Sequence, residues 1–205
     1  MPTRVPYRPL PSEEATSSLD GGGACLLVTG APGAGKSTVS RLVAQALTRS
    51  ALLRGDFVSR LVVSGHVWAL GEPAEEAARQ TRLCNDNLVA LARNLATAGF
   101  TPVIDWVVPG REQLDVFVDG LGDLGLRLLV LDPGGPACRA RNEQRAPEEQ
   151  FFFDGHETLM ATMSEEFGEL GWWFDTSALT VEETVAHVVA DAYALGAGGL
   201  GGGGR

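Results

Sequence analysis

Lysine is nearly missing from this chain. All but one of its 16 basic residues are arginine, and the single lysine is Lys36. Positive charge is short altogether, because 26 acidic residues set the net charge at −10. A protein that tracks a polyphosphate backbone carries a basic stripe, so this balance argues against a nucleic-acid substrate. Long apolar runs are absent too. None approaches the ~20 residues needed to span a bilayer, and no membrane association is expected. The opening MPTRVPYRPLPSEEATSSLDGGG holds no apolar core of signal-peptide length, so secretion is not expected. Cysteine is scarce: Cys25, Cys84 and Cys138 are far apart and odd in number. Without a C-x-x-C or Cys/His zinc spacing, reduced thiols in a cytoplasm are the plain expectation.

What is present divides the chain into three parts. Residues 1–22, with four prolines and small polar residues, read as a mobile N-terminal arm, and 196–205 as a flexible glycine tail. Between them, 23–195 is one domain of ordinary size. Inside it, short apolar strands alternate with helical patterns, which is the signature of a doubly wound parallel sheet. The strands are expected at 24–30, 51–54, 101–107, 126–132 and 171–175. Helices are expected from Lys36 to about Thr48, from Pro73 in a first turn to about Ala98, and over 111–122, 154–167 and 181–195. Leu88, Leu91 and Leu95 would give the long helix its apolar stripe.

Gly30-Ala31-Pro32-Gly33-Ala34-Gly35-Lys36-Ser37 satisfies the P-loop pattern G-x-x-x-x-G-K-[ST] in full, between an expected strand and an expected helix. Glycines let successive backbone N–H groups turn inward around phosphate oxygens, and the following helix adds its positive end. Lys36 would reach the β- and γ-phosphates, Ser37 would ligate Mg²⁺, and Thr38 would touch the α-phosphate. The lone lysine thus falls where a flexible point charge is wanted, not a planar fork. A GTPase would carry N-K-x-D, which a chain with no other lysine cannot. ATP is therefore the expected nucleotide. Asp119-Gly-Leu-Gly122 matches D-x-x-G but has no partner motif.

Three further groups suggest phosphate transfer. Asp56 follows the second strand, at the strand ends where ligands bind in open α/β sheets. A carboxylate there can take the proton of an acceptor hydroxyl, or equally cap the helix that follows. Arg60, four residues on, could hold the substrate or the moving phosphoryl group. Asp105 closes the third strand, beside the P-loop strand in this topology, where it can hold Mg²⁺ through water or orient the acceptor. Asp132 is its rival, but Asp132-Pro133 reads as a helix cap with a first-turn proline. Arg139, Arg141 and Arg145 follow the fourth strand and could close as a lid over the triphosphate, Arg141 and Arg145 from one helix face. They could also be a solvated face paired with Glu143, Glu148 and Glu149.

Taken in order, GAPGAGKST, GDFVSR, VIDWVV, RxRxxxR and DTSxLTVEETV resemble the P-loop small-molecule kinases and phosphotransferases over about residues 25–190. The nearest resemblance is to chloramphenicol phosphotransferase-like proteins and the kinase half of polynucleotide kinases. Adenylylsulfate, gluconate and shikimate kinases are more distant. The resemblance implies a P-loop NTPase fold, an α/β three-layer sandwich with a five-stranded parallel sheet, helices on both faces and a lid segment. It implies that Asp56 is the acceptor-side base, that the three arginines form the lid, and that Asp175-Thr176-Ser177 borders the adenine. The sequence departs from shikimate kinases, since Trp106-Val107-Val108-Pro109-Gly110 stands where a Gly-Gly motif would follow the third strand.

The expected function is Mg²⁺- and ATP-dependent transfer of a phosphoryl group to a hydroxyl of a small molecule: an antibiotic, a nucleoside-like compound or a metabolite. Two alternatives stand beside it, a nucleotide-binding regulatory or resistance protein without transfer, and a polynucleotide 5′-hydroxyl kinase. Trp68 and Trp106 could wall an acceptor pocket. Arg79, Arg82, Asn85 and Asn87 read as the solvated face of the long helix. His66, His156 and His187 share no metal spacing and receive no role.

Overall fold

The computed structural model describes Leu19, residues 24–147, Gln150 and 152–194, with side chains as far as Val189. The expected arm, apart from Leu19, and the glycine tail lie outside these residues, as do Glu148, Glu149 and Phe151. Leu19 is buried against the domain, and its carbonyl accepts a hydrogen bond from Thr101 Oγ1.

Five strands, β1 (Cys25–Thr29), β2 (Ser50–Arg54), β3 (Thr101–Asp105), β4 (Leu126–Leu131) and β5 (Trp172–Phe174), form one parallel sheet in the order β2-β3-β1-β4-β5. Successive side chains of a strand point to opposite faces, and the core divides accordingly. Leu26, Val28, Leu129 and Leu131 pack with Val39 and Val43 of helix α1 (Lys36–Ala46) and Val188 of α7 (Val181–Ala194). Cys25, Leu27, Leu128 and Val130 pack on the other face, against α3 (Ala74–Thr97), α4 (Arg111–Leu121) and α6 (His156–Phe167). Strands apolar on both faces must be covered on both, which makes the three layers. Each fully buried leucine among them stabilises the fold by about 1.5–3 kcal/mol.

The long helix α3 buries Ala77, Cys84, Leu88 and Ala92, positions that return to one side of a 3.6-residue turn. Leu91, expected in that stripe, lies a quarter-turn round and is exposed. Pro73 is the N-cap and not a first-turn residue. β3 stops at Asp105, so Trp106 and Val107 leave the sheet.

Two expectations after β4 change. Helix α5 runs from Gly135 to Glu143 with Gly134 as its N-cap. Asp132 is therefore not the cap; its Oδ1 instead accepts the Gly134 N–H at 3.2 Å, a turn closed by an Asp side chain. Because α5 ends at Glu143, Arg145 lies past the helix and does not share a helix face with Arg141. Gly134 and Pro136 move the helix start downstream of where Asp-Pro alone suggests.

Candidate active site

Everything chemical gathers at the carboxyl ends of β1, β2 and β3, where an open parallel sheet leaves its crevice. β1 runs straight into the P-loop, and α1 leaves it at Lys36, with Gly35 in the left-handed region as its N-cap. Gly33 has φ of 85°, and a Cβ there would stand 2.6 Å from the Cys138 carbonyl oxygen, so only glycine fits. Lys36 Nζ donates to the carbonyls of Gly30 and Ala31, both at 3.0 Å. Arg141 Nη1 donates to the Ala34 carbonyl at 3.0 Å and Nη2 to the Thr176 carbonyl at 3.1 Å. His156, the first residue of α6, donates from Nε2 to the Pro32 carbonyl at 3.1 Å.

Register sets the carboxylates. Asp105 is the β3 partner of both Val28 on β1 and Arg54 on β2. It is 6% exposed, hydrogen-bonded to the Ser37 hydroxyl, and 3.8 Å from Arg54 Nε. Burial raises its pKa above the ordinary carboxylate value; the Ser37 bond and the Lys36 charge oppose the rise, Asp56 adds to it, and Arg54 opposes it. Burial likewise lowers the Lys36 ammonium, while the Asp105 and Asp56 carboxylates pull it back up. A hydroxyl and a carboxylate side by side are hard oxygen donors of the kind Mg²⁺ takes, in a site where phosphates and waters complete the shell. Ser37 and Asp105 therefore fit the ion expected here. Among the described residues no cluster of three or more His, Cys, Asp or Glu could hold a metal alone.

Asp56 is exposed on the short helix α2 (Gly55–Ser59), whose N-cap is Arg54. It makes no side-chain cap there, and its charge acts on Lys36 and Cys84. The helix is pinned behind it. Trp106 lies on Gly55, where an added Cβ would overlap the indole, and Trp106 Nε1 donates to Asn85 Oδ1 at 2.8 Å. Asn85 is thus not a solvated residue of α3 but a buried prop for the indole. Beyond Asp56 the chain is apolar and solvent-facing: Phe57, Leu61, Val63, Trp68 and Leu70 are exposed. The segment is held to α3 by Gln80, which accepts the Val67 N–H at 2.9 Å and donates to the Gly65 carbonyl at 2.7 Å.

The structure thus brings together Gly30, Ala31, Pro32, Gly33, Ala34, Gly35, Lys36, Ser37, Asp56, Asp105 and Arg141. Thr38 is exposed at the start of α1. Arg145 lies near enough for its charge to weigh on Lys36. Arg60 is the exposed C-cap of α2. Arg139 faces elsewhere, in an ion pair with Glu157 at 2.8 Å. Sequence reasoning passed over Arg54 and His156. The signal for Arg54 was its place as the last residue of β2, beside Asp105 in register. His156 reaches the loop from 124 residues away, and no local pattern announces that.

The central parallel sheet, the phosphate loop at the end of its middle strand, and the carboxylate on the neighbouring strand define the P-loop fold, an α/β three-layer sandwich. Residues 26–170 match the family model described as an AAA domain, and the chain belongs to that family. No curated protein sequence matches it. Among solved structures it is similar to an unliganded sugar kinase from Janibacter sp. HTCC2649, at 18% identity and TM-score 0.62, covering 88% of this chain and 99% of that one. A tunicamycin resistance protein of Deinococcus radiodurans is 17% identical, with TM-score 0.56 over 82% of this chain and 94% of that one. The APS kinase CysC of Mycobacterium tuberculosis, solved with AMPPNP and APS, is 19% identical, with TM-score 0.55 over 82% and 96%. These likenesses establish the fold. Among the described residues no helix is long and apolar enough to cross a membrane.

Proposed function

We propose that the protein is an ATP-dependent phosphotransferase that moves the γ-phosphate to a hydroxyl of a small molecule. One observation carries the reading: Asp105 is hydrogen-bonded to the Ser37 hydroxyl of the loop, and Asp56 follows Arg54, the register partner of Asp105, so an oxygen ligand and a proton acceptor both lie at the phosphate loop. The loop N–H groups and Lys36 would hold the triphosphate. Asp56 takes the proton of the acceptor hydroxyl as its oxygen attacks the γ-phosphorus, the bond to the β–γ bridging oxygen breaks, and ADP leaves. Ser37 and Asp105 would hold Mg²⁺, which would supply neutralisation of the phosphate charge. Arg145 is close enough to Lys36 to share that work.

The acceptor side favours an uncharged compound with an apolar body. Arg54 is engaged by Asp105 and stacks on Phe57 with its guanidinium 4.4 Å from the ring centre. Arg60 is then the one remaining cation in a stretch, 57–70, otherwise given to apolar and neutral residues. A polyanion would find little to bind there.

The test is to incubate the protein with γ-labelled ATP, Mg²⁺ and a pooled library of metabolites, nucleosides and antibiotics, and to follow the label by mass spectrometry. Label on a hydroxyl compound supports transfer. Tight ATP binding with no labelled product across the library would leave a nucleotide-binding protein instead.

A further inference from the structure

The P-loop is held from outside as well as from within. Four of its carbonyls take a side-chain donor: Gly30 and Ala31 take Lys36, Pro32 takes His156, and Ala34 takes Arg141. These ties differ in one respect. Lys36 must release the loop when it turns to the phosphates, whereas His156 and Arg141 stand on α6 and α5 and can stay.

Peptide geometry gives those two bonds a consequence. In a planar trans peptide the C=O and the following N–H point in opposite directions. A donor that fixes the Pro32 carbonyl outward therefore fixes the Gly33 N–H inward, toward the phosphate cavity. Arg141 does the same for the Gly35 N–H. Gly33 is the residue with φ of 85°, at a position where glycine is free to rotate and an external restraint has most to contribute.

His156 suits such a restraint. It is 2% exposed, and its ring meets Phe153 edge-on with centroids 4.8 Å apart. Nε2 bonds Pro32, while Nδ1 has no partner among the described residues. Leaving a buried nitrogen unpaired is costly. A phenyl group would fill the same space without that cost, so the imidazole is explained by the one bond it makes.

We propose that His156 is a positioning residue of the nucleotide site, which orients the Gly33 N–H toward the triphosphate by holding the Pro32 carbonyl. The inference rests on the reading that this loop binds ATP, but not on phosphate transfer. In the full-length protein, His156→Phe keeps the ring and removes the bond, and His156→Gln returns an amide N–H at nearly the position of Nε2. Affinity for a fluorescent non-hydrolysable ATP analogue with Mg²⁺ is measured alongside thermal stability and the ¹⁵N–¹H signal of Gly33.

The expected result is that His156→Phe weakens the analogue about tenfold, the equivalent of one well-placed hydrogen bond, with its melting temperature kept. The analogue should shift the Gly33 amide signal in the wild type and less in His156→Phe. His156→Gln should recover most of the affinity and the shift. Wild-type affinity in His156→Phe would overturn the proposal, and so would equal losses in the Phe and Gln variants. A wild-type protein that does not bind the analogue overturns this proposal together with the ATP reading. A protein that binds the analogue but labels no acceptor would leave the proposal standing and remove only the transferase.

Discussion

Arg54 and Asp105 are register partners at the carboxyl ends of β2 and β3, with Arg54 Nε 3.8 Å from Asp105 Oδ2. The contact is long for an ion pair, and burial of Asp105 outweighs it. The folded-state pKa of Asp105 is therefore raised, not lowered. Between the ordinary value and the raised one the folded state binds more protons than the unfolded chain. Its contribution to stability is then present at low pH and lost as pH rises through the raised value. In chelator and without nucleotide, Asp105→Asn should raise the melting temperature at neutral pH, because the variant no longer buries a charge there. The same variant should lose at least about 10²-fold in transfer, because the site loses a charged ligand. Thermal unfolding across pH together with a transfer assay checks both; a variant less stable than the wild type would contradict the sign.

Lys36→Ala removes the point charge that the loop holds ready through Gly30 and Ala31. Nucleotide affinity should fall by at least about tenfold and transfer further, since developing charge on the γ-phosphoryl loses its partner. Calorimetry of ATP binding separates the two effects.

Gly55 is where α2 meets Trp106, and the indole occupies the space a methyl group would need. Gly55→Ala should destabilise the fold by about 1–3 kcal/mol through overpacking. Combining it with Trp106→Leu should recover part of that loss in a double-mutant cycle. Trp106→Phe alone should cost about 1–3 kcal/mol, because Asn85 is buried and loses the indole N–H. Denaturant titration of Gly55→Ala, Trp106→Leu, the double variant and Trp106→Phe measures each term. Additive losses would show that the ring and the glycine are independent.

The sheet was legible because its strands are apolar on both faces and its helices are not, and the P-loop because its residue types are those that phosphate requires. Asp105 was legible from its place at a strand end once the strand order was expected. Helix limits near proline and glycine were less so: Asp132-Pro133 reads as a cap until Gly134 and Pro136 displace it. The Leu88–Leu91–Leu95 stripe failed at Leu91 because Ala77, Cys84 and Ala92, smaller and less conspicuous, mark the buried face. The Arg139–Glu157 pair, the Trp106–Asn85 bond and the His156–Pro32 bond join residues 18, 21 and 124 apart in sequence. Such contacts follow from how layers pack, and no short pattern encodes them.

Whether Asp56 takes the acceptor's proton is read from acceptor-dependent ADP formation under single-turnover conditions, in wild type and in Asp56→Asn, with nucleotide affinity measured beside it. With Asp56 as the base, the rate of transfer should fall by about 10²–10⁴-fold while ATP affinity stays within about twofold. Asp56→Asn transferring phosphate at the wild-type rate would contradict it.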